Sequence, residues 1–144
     1  GAMTLLSQLL DTKGHAVHAV SPDASIIDAI RSMADNHIGA LLVMEGQQLA
    51  GIVSERDYAR KVILLGRSSA TTAVRDIMSS PVMSLSRDST VDEAMRLMTE
   101  HRIRHLPVVA NERVTGLVSI GDLVKCVIEE QRHTIDELHS YISG

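Results

Sequence analysis

Aromatic side chains are nearly missing from this chain: two tyrosines, no tryptophan and no phenylalanine stand among 144 residues. A core must then be built from Val, Ile, Leu, Ala and Met, and the surface has no aromatic platform on which single-stranded bases could stack. Positive charge is short too. Fourteen Lys and Arg against eighteen Asp and Glu leave a net charge of −4, which argues against nucleic acid as the main partner. The single cysteine, Cys126, cannot close an intramolecular disulfide, and no Cys/His cluster surrounds it for zinc. Long apolar runs are absent as well. The longest, Ile38 to Met44 with Gly39 counted in, falls far short of the ~20 residues that a membrane span needs. Gly1-Ala2-Met3 reads as an expression scar with no secretory segment behind it, so the expected address is cytoplasmic.

What the chain does have is itself, twice. Shifted by 65 positions, residues 20–57 align with 85–122 without a gap. Ser21 falls on Ser86, Asp23 on Asp88, Ala29 on Ala94, Met33 on Met98, Ile38 on Ile103, Leu41 on Leu106 and Val43 on Val108. The match runs on through Gly51 and Gly116, Val53 and Val118, Ser54 and Ser119, and Asp57 and Asp122. Two copies exclude a long solenoid and predict two similar units packed face to face about a pseudo-twofold axis.

Each copy reads as β-α-β-β-α, a mixed α/β unit of the α+β kind. A short extended piece, 15–20 or 81–85, precedes a capping-box pattern, Ser25 to Asp28 or Thr90 to Glu93. Ile26, Ile30 and Met33, and likewise Val91, Met95 and Met98, recur at four and seven residues and mark one buried helix face. Two apolar runs follow, 40–44 with 49–53 and 106–109 with 114–118, joined by Glu45-Gly46 and Asn111-Glu112 as hairpin turns. A second helix closes each unit, over 55–64 and 120–131. The predicted division is 1–14 for the scar and an N-terminal helix, 15–66 for the first repeat, 67–78 for a linker, 79–131 for the second repeat and 132–144 for a C-terminal helix. Flanking helices over 5–10 and 134–142 carry apolar residues at near-helical spacing.

The doubled unit, ending each time in Gly-apolar-apolar-Ser-x-x-Asp, resembles the tandem cystathionine β-synthase (CBS) domain pair, or Bateman module. The motif stands at Gly51-Ile-Val-Ser54-Glu-Arg-Asp57 and at Gly116-Leu-Val-Ser119-Ile-Gly-Asp122, and the resemblance runs from about His15 to Glu130. The stretch His101 to Val109 is similarly family-like, with Pro107 placed where one strand amide need not pair. The resemblance implies a sensor for adenosine-containing ligands, with AMP first and ADP, ATP, NAD or S-adenosylmethionine as the other candidates. It also implies a homodimer and a downstream protein partner.

The residues suit that reading. A serine at a strand end and an aspartate one helical turn on share the mouth of a helix, where free amides and the dipole favour an anion. An ionised Asp57 or Asp122 accepts with both oxygens and matches the two hydroxyls of a ribose, while Ser54 or Ser119 can serve sugar or phosphate. Ser and Asp are equally ordinary helix-start residues, a role compatible with ligand binding. The copies differ in cations. Arg104 and His105 stand in the second where the first has Gly39 and Ala40, and Arg56 stands in the first where the second has Gly121. If the repeats face each other, these cations approach phosphates, and a nearby phosphate raises the pKa of His105. By the resemblance, Ala16-Val17 and Pro81-Val82 flank the adenine, with ligands lodging in clefts between the repeats.

Other constellations fail. His101 and His105 have zinc spacing only if one helix holds both, and the helix ends near Arg102. The methionines lie at core spacing. Asp57 and Asp122 show no acid/base division of labour, and no serine has a histidine-acid relay. An anion nest at Gly66-Arg-Ser-Ser69 is weaker than a plain loop. A nucleotide-processing enzyme and a purely structural dimerisation module remain as competing classes.

Overall fold

The computed structural model describes residues 3–80 and 82–143. The chain folds as two compact units, one of Ala16–Met83 and one assembled from both ends, Gly1–His15 with Ser84–Gly144. This differs from the division read in sequence order. The segment taken as a linker is packed into the first unit, and the N-terminal helix belongs with the second repeat.

In the first unit a three-stranded sheet has the order β1-β2-β3, formed by Ala19–Val20, Ala40–Glu45 and Gln48–Ser54. β1 runs parallel to β2 with Ala19 opposite Leu42, and β2 pairs antiparallel with β3 from Ala40 opposite Ser54 to Glu45 opposite Gln48. The predicted hairpin turns at Gly46, whose φ of 61° is cheap for a residue without Cβ. Helix α2, Ile26–Asn36, starts where Ser25 Oγ accepts from the Asp28 amide. It buries Ile26, Ala29 and Met33, one face at the expected spacing. The closing helix runs from Glu55 to Ile63, close to the 55–64 expected, but only its first turn is an α-helix. α3 spans Glu55–Tyr58 and widens into a π-helical turn over Ala59–Ile63 that sets Val62 into the core. A 3-10 turn at Val74–Asp76 then adds Val74 and Ile77 to the same core as Ile26, Met33, Leu41, Val43 and Val53.

The second unit repeats this plan. β4 (Leu85–Ser86), β5 (His105–Ala110) and β6 (Arg113–Ser119) form a sheet in that order, and α4 (Val91–His101) buries Val91, Ala94 and Met98. Pro107 occupies the place of Leu42, whose amide donates to His18 O in the first repeat, so proline at this position forgoes a single ladder bond. Where the first unit has its 3-10 turn, the second uses α1, Leu6–Lys13, with Leu6 and Leu10 almost wholly buried. The two placements correspond bond for bond. Val74 N donates to Ala24 O as Leu6 N does to Ser89 O, and Ile26 N donates to Thr72 O as Val91 N does to Thr4 O. Two separate C-terminal helices were expected; instead α5 is continuous over Ile120–Ser143, because Gln131-Arg-His-Thr134 contains no glycine or proline to end it.

Packing also explains the glycine that opens each motif. A Cβ on Gly116 would lie 2.6 Å from Leu10 Cδ2, and one on Gly51 would lie 2.7 Å from Met78 Sδ and 2.9 Å from Ser79 O. Gly116 admits the close approach of α1, and Gly51 that of the segment following the 3-10 turn.

Candidate functional site

Each motif lies at a strand-to-helix junction built in the same way. At the first, Ser54 ends β3 and caps α3: its Oγ accepts from the Asp57 amide at 3.2 Å and donates to Asp57 Oδ2 at 3.0 Å, while its own amide donates to that oxygen at 3.0 Å. Lys61, one turn on, reaches Asp57 Oδ1 at 3.2 Å and donates to Ile77 O at 2.9 Å. The Asp57 side chain is 16% exposed. Gly39 O accepts from the Glu55 amide, so the start of β2 is tied to the start of α3. Parallel pairing of β1 with β2 continues backward through Leu42 N to His18 O, which carries Ala16 and Val17 toward the Ser54 end of the sheet. Both are exposed, and so is Arg56.

At the second junction the Ser119 amide donates to Asp122 Oδ2 at 2.8 Å and Ser119 Oγ accepts from the Asp122 amide at 3.1 Å. Arg104 O accepts from the Ile120 amide, as Gly39 O does in the first unit, and His105 lies directly opposite Ser119 in the sheet. The lysine comes from elsewhere. Lys13, the last residue of α1, donates to Asp122 Oδ2 at 2.7 Å and also to Leu117 O.

The electrostatics of this second site follow from those contacts. Burial pushes the Asp122 carboxyl up, but the Lys13 bond, the Ser119 amide and the Lys13 charge outweigh it and hold the group below its ordinary value. His105 moves down, first because it is half-buried and then because Lys13 and Arg104 oppose its charge. The expected elevation of His105 is therefore not a property of the unliganded protein. The helix dipole expected to draw an anion is likewise already answered, since in each junction the motif's own aspartate fills the mouth of the helix, and α3 is a single turn. Any anion must be drawn by side chains.

Of the other sequence expectations, Val82 is half-buried near the end of the first unit, and Pro81 lies outside the described residues. His101 ends α4 and His105 opens β5, so the pair shares no helix, and among the described residues no group of three or more His, Cys, Asp or Glu is arranged to hold a metal. Two amides of the Gly66–Ser69 loop close the preceding helix: Gly66 N donates to Ile63 O and Arg67 N to Val62 O. Sequence reasoning missed both lysines. The i, i+4 spacing of Asp57 and Lys61 was a usable signal; for Lys13 it was a second internal match, Thr4, Leu6, Leu9 and Leu10 against Thr72, Val74, Ile77 and Met78, offset by 68 positions.

The CBS domain profile matches the chain twice, over residues 13–63 and 74–129. The chain belongs to the CBS domain family. It is a tandem CBS pair, a regulatory module, of mixed α+β fold. The mitochondrial CBS domain-containing protein CBSX3 of Arabidopsis thaliana is 41% identical over 150 residues, covering 98% of this chain and 73% of its own length. Among solved structures, a candidate signal-transduction protein with CBS domains from Burkholderia ambifaria is 49% identical with a TM-score of 0.86, covering 89% of this CBS pair and 96% of that chain. The CBS domain pair of MJ0100, solved with 5′-methylthioadenosine and S-adenosylmethionine, shares the fold at 23% identity and a TM-score of 0.79, covering 89% and 98%. Among the described residues no helix is long and apolar enough to cross a membrane.

Proposed function

We propose that this CBS pair is a sensor of adenosine-containing ligands, with AMP the first candidate, and that occupancy of its Ser/Asp junctions is passed to a protein partner by a self-associating molecule. The observation that carries this reading is the doubled junction itself: Ser54 with Asp57 and Ser119 with Asp122 hold a carboxylate and a hydroxyl at the same place in each unit. A carboxylate oxygen outside the cap bond suits ribose hydroxyls. The MJ0100 pair, which binds adenosine derivatives, supports the ligand class. The two junctions differ in charge. Lys13, Arg104 and His105 cluster around Asp122, and we assign the phosphate-bearing ligand to that site; Asp57 has Lys61, and Arg56 beside it in sequence. The groups fit holding a ligand, with no relay for transforming it.

AMP, with about 23 non-hydrogen atoms at ~0.3 kcal/mol each, reaches a dissociation constant on the order of 10 μM. Mass spectrometry of small molecules released from freshly purified, denatured protein tests the class, and adenylate should be found. In calorimetry, Asp122→Ala should weaken AMP binding about tenfold with the fold intact; unchanged affinity rejects the ribose role. A phosphate beside His105 restores its proton, so AMP should bind more tightly at pH 6 than at pH 7.5, and adenosine should not.

A further inference from the structure

The two junctions share their Ser/Asp geometry but not the place of their lysine. At the first, both oxygens of Asp57 are engaged: Oδ2 accepts from the Ser54 amide and from the Ser54 hydroxyl, and Oδ1 holds Lys61 at 3.2 Å. Lys61 is fixed at a second point as well. It donates to Ile77 O at 2.9 Å, the carbonyl of the residue that ends the 3-10 turn. At the second junction the Ser119 amide and Lys13 both use Asp122 Oδ2, at 2.8 and 2.7 Å, and among the described residues no donor is bonded to Oδ1. The Asp122 side chain is also the more open of the two, 25% exposed against 16% for Asp57.

The repeat itself shows where this difference arises. Shifted by the same 65 positions, Lys61 falls on Cys126, a thiol that stays neutral because burial pushes its pKa up. The second unit thus has an uncharged residue at the position from which Lys61 reaches Asp57, and draws its cation from α1 instead, onto the oxygen that the Ser119 amide already uses.

We propose that Lys61 closes the first junction to a ribose, so that each chain binds a single adenylate, at Asp122. Sugar hydroxyls need carboxylate lone pairs that other donors have not taken. At Asp57 only Oδ1 lies outside the cap, and a hydroxyl arriving there must displace an ammonium that Ile77 O pins in place. A neutral hydroxyl is a poorer partner for a carboxylate than the ammonium it replaces. At Asp122 a hydroxyl reaches Oδ1 without disturbing Lys13, so the cap and the ion pair both survive binding.

This closure rests on the reading of the Ser/Asp junctions as ribose sites, and counting sites separates the two. In calorimetric titration with AMP, the wild-type full chain should show one binding event per chain, weakened in Asp122→Ala. Lys61→Met should show two, the added one at least about tenfold tighter than any second event in wild type. Lys61→Met/Asp57→Ala should return to one. Where circular dichroism shows that Lys61→Met does not fold, Lys61→Gln, which keeps a neutral donor, takes its place. Two equal events in wild type, a single event in the Lys61 variant, or an added event that survives the loss of Asp57 each overturns the closure and leaves the sensor reading standing. Failure of the wild type to bind AMP, ADP, ATP, NAD or S-adenosylmethionine overturns that reading and the closure with it.

Discussion

At neutral pH the Asp122 carboxylate keeps its charge because Lys13 and the Ser119 amide favour it over the effect of burial, and His105 beside it stays neutral because burial and two cations disfavour its proton. Both groups have folded values below their ordinary ones, so both contribute stability that is whole at high pH. For His105 that contribution declines as pH falls below its ordinary 6.5, where the unfolded chain binds the proton first; for Asp122 it declines below 3.8 and on through the lower folded value. The melting temperature of the second unit should thus fall between pH 7 and pH 5, and His105→Gln should flatten that slope, read by calorimetric scans across the range. Lys13→Met removes the ion pair and should move the Asp122 titration upward by NMR. Because the pair is partly exposed, its loss should cost only about 1 kcal/mol or less.

Among the elements, α1 and the segment after the 3-10 turn pack against the motif glycines. Gly51→Ala pushes a methyl group against Ser79 O, a backbone atom, whereas Gly116→Ala meets the end of the Leu10 side chain. Gly51→Ala should be the more destabilising, by about 1–3 kcal/mol, with a smaller loss for Gly116→Ala, as measured by chemical denaturation. Much of this level was legible in the residues. The faces of α2 and α4, the caps at Ser25 and Thr90 and both hairpins follow local periodicity and turn chemistry, and so did the two Ser/Asp junctions. What escaped was set by packing at long range. Lys13 and Asp122 are 109 positions apart, and only the short match of residues 4–10 to 72–78 hints that α1 packs on the second repeat. The strands at the extended segments proved to be two residues each, since only Ala19–Val20 and Leu85–Ser86 find ladder partners. The break expected between two C-terminal helices rested on polar residues alone, which helices tolerate when exposed.

For the molecule as a whole, the first unit is continuous in the chain and the second is not. Removing residues 1–13 takes Leu6, Leu9 and Leu10 from the second unit, a loss of about 1.5–3 kcal/mol for each side chain if wholly uncovered. Limited proteolysis of the truncated chain should then digest 84–144 while sparing 16–83; equal protection of both would show that α1 is dispensable. The same closure of α1 on a later part of the chain has a consequence for synthesis at the ribosome. Residues 16–83 can condense as soon as they emerge, while the α1 leucines, made earlier, wait uncovered until β6 arrives. A circular permutant beginning at Ala16, with Gly144 joined to Gly1 through a linker of suitable reach, removes that wait, because its second unit emerges as one unbroken stretch.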